Sequence, residues 1–101
     1  AVIHVFFRID RARWRAFAAA ERDAAVAEFA ALLERVAAED GMQFVPTGGV
    51  TKYDFGYMAV HADVWRVQQL TQEVAATAFG SCLETTYSFL SLTEASEYIT
   101  S

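Results

Sequence analysis

The chain has 101 residues, of which 54% are hydrophobic and 14% aromatic, a high apolar content for what its length predicts to be one small domain. Eight Lys and Arg residues against 13 Asp and Glu residues give a formal net charge of -5. This balance argues against nucleic acid or an anionic membrane surface as a partner, because both require a basic footprint.

The single cysteine, Cys82, excludes a disulfide within the chain and favours a reducing compartment, so we expect a cytoplasmic protein. No apolar run approaches the ~20 residues of a membrane-spanning helix. The chain opens at Ala1 directly into a predicted strand and ends after its last strand with no further predicted element. We therefore expect a piece of a longer protein.

The first predicted strand, residues 1–9, alternates between an apolar face and a mixed face. The mixed face carries His4, Phe6 and Arg8. His4 and Arg8 are a possible carboxylate-binding pair, but two residues do not make a site, and we favour a position at the rim of an apolar interface.

A helical stretch follows, with Asp10 as its expected N-terminal cap. Apolar residues recur at three- and four-residue steps as far as Val36. The alanine run 18–20 and the charges after it leave open whether this stretch is one helix or a short helix followed by a longer one. Gly41 is expected to end it in a left-handed conformation.

Two strands are predicted after Gly41. Pro46 lacks the amide hydrogen that a sheet needs, so residues 42–50 are expected to form an edge or bulged strand. Residues 51–61 predict the third strand, with Tyr53, Phe55 and Tyr57 on one face, and we favour core or interface packing for these rings over a ring-stacking site.

Within this third strand, Gly56 predicts the close approach of a backbone or a ring. Asp63 is then the expected cap of a helix over residues 64–79, which Gly80 closes. The last strand, residues 82–92, is apolar or hydroxylated on both faces, so it needs cover on both.

The element order β-α-β-β-α-β predicts a single α+β domain over residues 1–101 with a ferredoxin-like fold. Its four-stranded antiparallel sheet has both helices on one face and leaves a face of roughly 300 Å² in plan open. Pairing with a second sheet, into a sandwich or a closed α+β barrel, is the expected cover. The expected interface residues are His4, Phe6, Arg8, Phe55, Tyr57, Tyr87 and Phe89.

Signatures of catalysis and metal binding are absent from the sequence. His4, His61 and Cys82 are isolated, and neither Cys-x-x-Cys nor Gly-x-Ser-x-Gly occurs. The carboxylates Glu21, Glu28 and Asp40 do not share a helical face. We therefore assign no catalytic, cofactor-binding or metal-binding residue.

Residues 52–58 (KYDFGYM) and 86–98 (TYSFLSLTEASEY) give the chain a resemblance to the chlorite dismutase-like family, in particular to its coproheme decarboxylase and haem-dependent peroxidase branch. Weaker similarity lies at residues 7–10, Trp14, residues 20–22 and residues 28–29. The resemblance spans nearly the whole chain but only the N-terminal lobe of a family member.

This resemblance implies two ferredoxin-like lobes whose sheets pair into an α+β barrel, in subunits that assemble as rings, often pentamers. It places the haem-ligating histidine and the reactive tyrosine in the connection and the C-terminal lobe, so neither His4 nor His61 matches a functional position. We therefore expect a structural lobe of a haem-dependent oxidoreductase, with haem or coproheme bound only when a C-terminal lobe is its partner.

Two other interpretations stay open. The chain could be a stand-alone α+β barrel homodimer, a second copy of itself covering the sheet and a small apolar ligand lying between the protomers. It could also be a non-catalytic subunit with no ligand.

Overall fold

The computed structural model describes residues 1–50 and 53–92. In chain order the elements are strand β1 (Val2–Ile9), helices α1 (Arg11–Ala16) and α2 (Ala19–Ala37), strands β2 (Gln43–Val50) and β3 (Tyr53–Val60), helix α3 (Val64–Ala76), a 3-10 turn (Gly80–Cys82) and strand β4 (Leu83–Ser91).

The strands form one antiparallel sheet in the order β2-β3-β1-β4. This arrangement confirms the predicted ferredoxin-like sheet, in which the first and third strands are central. It also places β2, the strand that contains Pro46, at an edge, where a missing amide hydrogen costs no sheet bond.

The hydrophobic core lies between the sheet and helices α2 and α3. Ile3, Val5 and Phe7 alternate along β1 and are all less than one tenth exposed. Residues at helical spacing on α2 and α3 pack against them; these are Phe29, Leu32, Val36, Val67, Leu70 and Val74. The helices therefore cover one face of the sheet, as the sequence predicts.

The first helical stretch is two helices. The Asp10 carboxylate accepts a hydrogen bond from the backbone N–H of Arg13 (3.1 Å) and caps α1. Ala18 then takes an extended backbone (φ -65°, ψ 157°), and its N–H donates to the Glu21 carboxylate (2.8 Å) at the start of α2. The break left open by the sequence thus falls at Ala18.

Helix α3 begins at its predicted cap, Asp63, but ends at Ala76 rather than at residue 79. Thr77 ends it, because its buried hydroxyl donates to the Val74 carbonyl (2.7 Å) and accepts from the Gly80 N–H (2.9 Å). Gly41 has the predicted positive φ of 77° but lies in a turn beyond the end of α2, so it is not the helix cap.

An ion-pair cluster joins the end of α2 to α3. The Arg66 guanidinium donates to both carboxylate oxygens of Glu39 (2.7–3.0 Å) and to Glu73 (3.2 Å). These hydrogen bonds from Arg66 hold the pKa of Glu39 below its usual value, and those to Glu39 raise the pKa of Arg66. The cluster fixes the two helices relative to each other on the covered side of the sheet.

The open sheet face as a candidate docking surface

The sheet face opposite the helices is lined by aromatic and aliphatic side chains. Strand register places His4 opposite Met58 and Phe89, and Phe6 opposite Gly56 and Tyr87. We call this surface the open face. Its members include His4, Phe6, Val45, Tyr53, Met58, Tyr87 and Phe89.

Phe6 is the centre of the open face. Its ring lies 4.6 Å from that of Tyr53, 6.1 Å from that of Tyr87 and 6.4 Å from that of His4, measured between centroids. The ring has this place because residue 56 has no side chain: an added Cβ on Gly56 would lie 2.7 Å from Phe6 Cδ1. The close approach predicted at Gly56 is therefore the approach of an aromatic ring.

The open face exposes large apolar groups to water. Tyr87 is 57% exposed and Phe89 is 49% exposed, and they are neighbours on one face of β4. Contiguous apolar surface of this kind is rare on monomers and is typical of an interaction site. A partner that docks on this face could bury apolar surface and pack against the aromatic rings.

Four of the seven residues expected at an interface lie together on the open face: His4, Phe6, Tyr87 and Phe89. Arg8 is exposed at the end of the same strand, where the register puts it opposite Glu84. The interface role of these residues stays a prediction.

Phe55 and Tyr57 lie on the covered face instead. Phe55 pairs with Phe7 and Tyr57 with Val5, so their side chains project toward the helices. Tyr57 is 1% exposed, and this burial raises the pKa of its hydroxyl. The prediction that Phe55 and Tyr57 belong with the interface residues of the open face is therefore wrong.

Some members of the open face were not among the expected interface residues. Val45 and Met58 pair across β2 and β3, and Tyr53 reaches Phe6 from the first position of β3. Period-two alternation from Gly56 would have identified Met58, but it places Tyr53 on the covered face. Only the ring contact reveals the position of Tyr53.

Helices α2 and α3 leave part of the covered face open along β4. A groove of about 440 Å³ runs between α3 and this strand, with Ser88 and Leu90 on its strand side. Both of these residues are exposed. The last strand therefore lacks cover on both faces, which is more than the one open face predicted for the sheet.

Residues 1–50 and 53–92 contain no group of three or more His, Cys, Asp or Glu side chains that could hold a metal ion. His61 Nδ1 accepts a hydrogen bond from the Asp63 N–H (2.9 Å), and its Nε2 lies 3.9 Å from Glu39. The His4 ring lies 6.4 Å from the rings of both Phe6 and Phe89, measured between centroids.

Among the helices of residues 1–50 and 53–92, none combines the length and the apolar character needed to cross a bilayer.

A family profile described as chlorite dismutase matches residues 22–101. No curated protein matches the chain. Among solved structures, a mutant chlorite dismutase from Candidatus Nitrospira defluvii superimposes with a TM-score of 0.80 and 17% identity over 98% of this chain. A structure described as a novel heme-binding protein from Thermus thermophilus gives a TM-score of 0.76 and 21% identity, also over 98% of this chain.

The chain spans less than half of these solved structures. It covers 42% of the Candidatus Nitrospira defluvii chain and 46% of the Thermus thermophilus chain. The similarity therefore extends over one ferredoxin-like sheet with its helices, and more than half of each solved chain has no counterpart here.

Proposed function

The chain belongs to the chlorite dismutase family, and from this we propose that it is the N-terminal structural lobe of a haem-dependent oxidoreductase. In this role the open face docks against the sheet of a C-terminal lobe, and the two sheets complete an α+β barrel. The partner lobe is either part of the same precursor or a separate chain.

The observation that carries this proposal is the exposed aromatic surface centred on Phe6. An apolar sheet face is stable in water only when a second layer covers it, and a second sheet packs about 10 Å away with interdigitating side chains. Tyr87 and Phe89 are the most exposed rings on this face, and such a contact would bury them together with Phe6.

Haem or coproheme, in this proposal, belongs to the partner lobe. The two histidines of this chain are committed to other contacts or to an open surface, as described above, so the chain contributes a barrel wall and part of the subunit contacts. The haem supplies the redox chemistry, which we propose to be of the decarboxylase, peroxidase or chlorite type. The buried thiol of Cys82 agrees with the cytoplasmic location that we propose for the assembly.

Co-expression of this chain with a C-terminal lobe tests the proposal. The reconstituted pair should co-purify and show a Soret band, whereas this chain alone should take up no haem. Failure of the pair to bind haem, or tight binding of haem by this chain alone, would overturn the assignment.

A further inference from the structure

Strand β4 contains one residue more than the matching stretch of β1. Phe6 lies opposite Tyr87, but the next residue of β1, Phe7, lies opposite Thr85. Thr86 is therefore left unpaired between these two positions and forms a β-bulge, an extra residue in one strand of an antiparallel pair. The bulge lies beside Phe6, at the centre of the open face.

The bulge reverses the alternation of side chains along β4. Before Thr86 the odd-numbered residues face the helices, whereas after it the even-numbered residues do. The groove beside α3 contains both sets, because its lining from β4 is Leu83, Thr85, Ser88 and Leu90. The residues that the open face receives after the bulge are Tyr87 and Phe89.

A strand without the bulge could not serve both surfaces. Leu83 packs against the core from the helix side, and in a regular strand every second residue after it would share that face. Tyr87 and Phe89 would then project toward the helices, and Ser88 and Leu90 would replace them on the open face. The extra residue therefore keeps Leu83 at the core while two aromatic rings reach the open face.

A side-chain hydrogen bond joins the bulge to β1. The Thr86 hydroxyl donates to the carbonyl oxygen of Phe6 at 3.1 Å. Phe6 is also the residue whose ring lies 6.1 Å from that of Tyr87, measured between centroids. The bond thus fixes the unpaired residue to the backbone that carries the central ring of the open face.

We infer that Thr86 is a positioning residue for the open face, because its hydroxyl holds the bulge that turns Tyr87 and Phe89 toward a docking partner. This inference rests on the proposed function, in which a C-terminal lobe buries those two rings. It adds that the lobe recognises a single register of β4. A shift of this half of the strand by one residue would offer the lobe a serine and a leucine in place of the rings.

Three variants test this role. Thr86→Val keeps the shape of the side chain and removes the hydroxyl, while Thr86→Ser keeps the hydroxyl. Thr85→Val is the matched control at the neighbouring threonine, whose side chain lines the groove instead. Circular dichroism should show the parent fold for all three, because residues 85 and 86 are exposed.

Nuclear Overhauser contacts between the rings of Phe6 and Tyr87 report the register of β4 in this chain alone. They should be lost or weakened in Thr86→Val and retained in Thr86→Ser and Thr85→Val. The dissociation constant for a C-terminal lobe should rise at least about fivefold for Thr86→Val, the factor that one ordinary hydrogen bond is worth, and should stay parent-like for the other two variants. Unchanged ring contacts in Thr86→Val, or their loss in Thr86→Ser or Thr85→Val, would overturn the inference.

Deletion of Thr86 gives a second test of the bulge. The shortened strand can pair regularly with Tyr87 still opposite Phe6, so the ring contacts should persist. Their loss would mean that residue 86 is not the extra residue, and the inference would fall.

The ring contacts also separate this inference from the proposed function, because they are measured without a partner. If the parent chain binds no C-terminal lobe but Thr86→Val loses the contacts, the proposed function fails and Thr86 still sets the register of the open face. If the lobe binds the parent chain and Thr86→Val equally well with unchanged contacts, the docking stands and the role of Thr86 is refuted.

Discussion

The ring of Phe6 occupies the space that a side chain at residue 56 would fill, with Phe6 Cδ1 2.7 Å and the Val5 carbonyl oxygen 2.9 Å from the Cβ position of Gly56. The ring can be displaced, but the carbonyl belongs to a central strand of the sheet. A side chain at residue 56 would therefore displace the Phe6 ring and change the shape of the open face.

Gly56→Ala should lower the free energy of unfolding by about 1–3 kcal/mol, the usual cost of overpacking. Gly48→Ala is its matched control on the neighbouring strand, because nothing lies within 4 Å of the added Cβ there. Alanine at residue 48 should leave stability unchanged or raise it slightly. Urea unfolding measures both, and equal effects of the two substitutions would contradict the close contact at Gly56.

Tyr57→Phe should stabilise the fold by about 1 kcal/mol. The Tyr57 hydroxyl is buried and has no hydrogen-bond partner among the described residues, so folding removes it from water without compensation. Tyr87→Phe removes the same hydroxyl from an exposed ring and should change stability by less than about 0.5 kcal/mol. Thermal unfolding of both variants tests this, and a clear loss of stability in Tyr57→Phe would mean that the hydroxyl has a partner.

Thr77→Val should cost about 1–3 kcal/mol, because it leaves the Gly80 N–H without its buried acceptor. Thr71 provides the comparison on the same helix: its hydroxyl also donates to a carbonyl three residues earlier, at 2.6 Å, but at an exposed site. Thr71→Val should cost less than about 0.5 kcal/mol, since water replaces the lost bond. If both variants unfold at the same urea concentration, Thr77 does not end α3 in the way described.

Glu39→Gln should reduce stability at neutral pH by about 1 kcal/mol and should weaken the pH dependence of folding. Because hydrogen bonds from Arg66 lower the pKa of Glu39 in the folded state, the carboxylate stabilises the fold above its ordinary value of 4.5, and this contribution is lost as the pH falls through the folded-state pKa. The stability difference between the parent chain and Glu39→Gln should therefore disappear in acid.

Glu34→Gln is the control for this experiment, because Glu34 lies exposed on α2, shortly before Glu39, and makes no ion pair within the described ranges. Its stability should match that of the parent chain at every pH. A difference between the parent chain and Glu39→Gln that persists unchanged at low pH would show that the Glu39 charge is not what stabilises the cluster.

The element order was predictable because the strands and helices of this chain have distinct hydrophobic periods. The Asp10 and Asp63 caps depend on residues within a few positions of one another, so the sequence carries them. Pro46 and Gly56 indicate an edge strand and a close approach by their own chemistry, although the ring that approaches Gly56 belongs to Phe6 on another strand. The end of α3 was not predictable in the same way, because apolar residues continue to Phe79 while the bonds of Thr77 to Val74 and Gly80 end the helix.

The open face was predictable as a surface but not residue by residue. Strand β3 has large side chains on both faces, and only its register with β1 shows that Phe55 and Tyr57 project toward the helices. Tyr53, at the end of the strand, departs from alternation to pack on Phe6. The groove beside β4 is not predictable from the sequence, because it depends on how far α3 lies from the sheet edge, which no local pattern records.

Binding of the C-terminal lobe to variants of the open face tests the central claim most directly. Phe89→Asp puts a charge among the exposed rings, and Trp65→Asp puts the same charge on a more exposed apolar position of α3, away from the sheet. Calorimetry should show parent-like affinity for Trp65→Asp and at least about a hundredfold loss for Phe89→Asp, as for a buried aromatic contact. Equal affinities for the two variants would contradict docking through the open face.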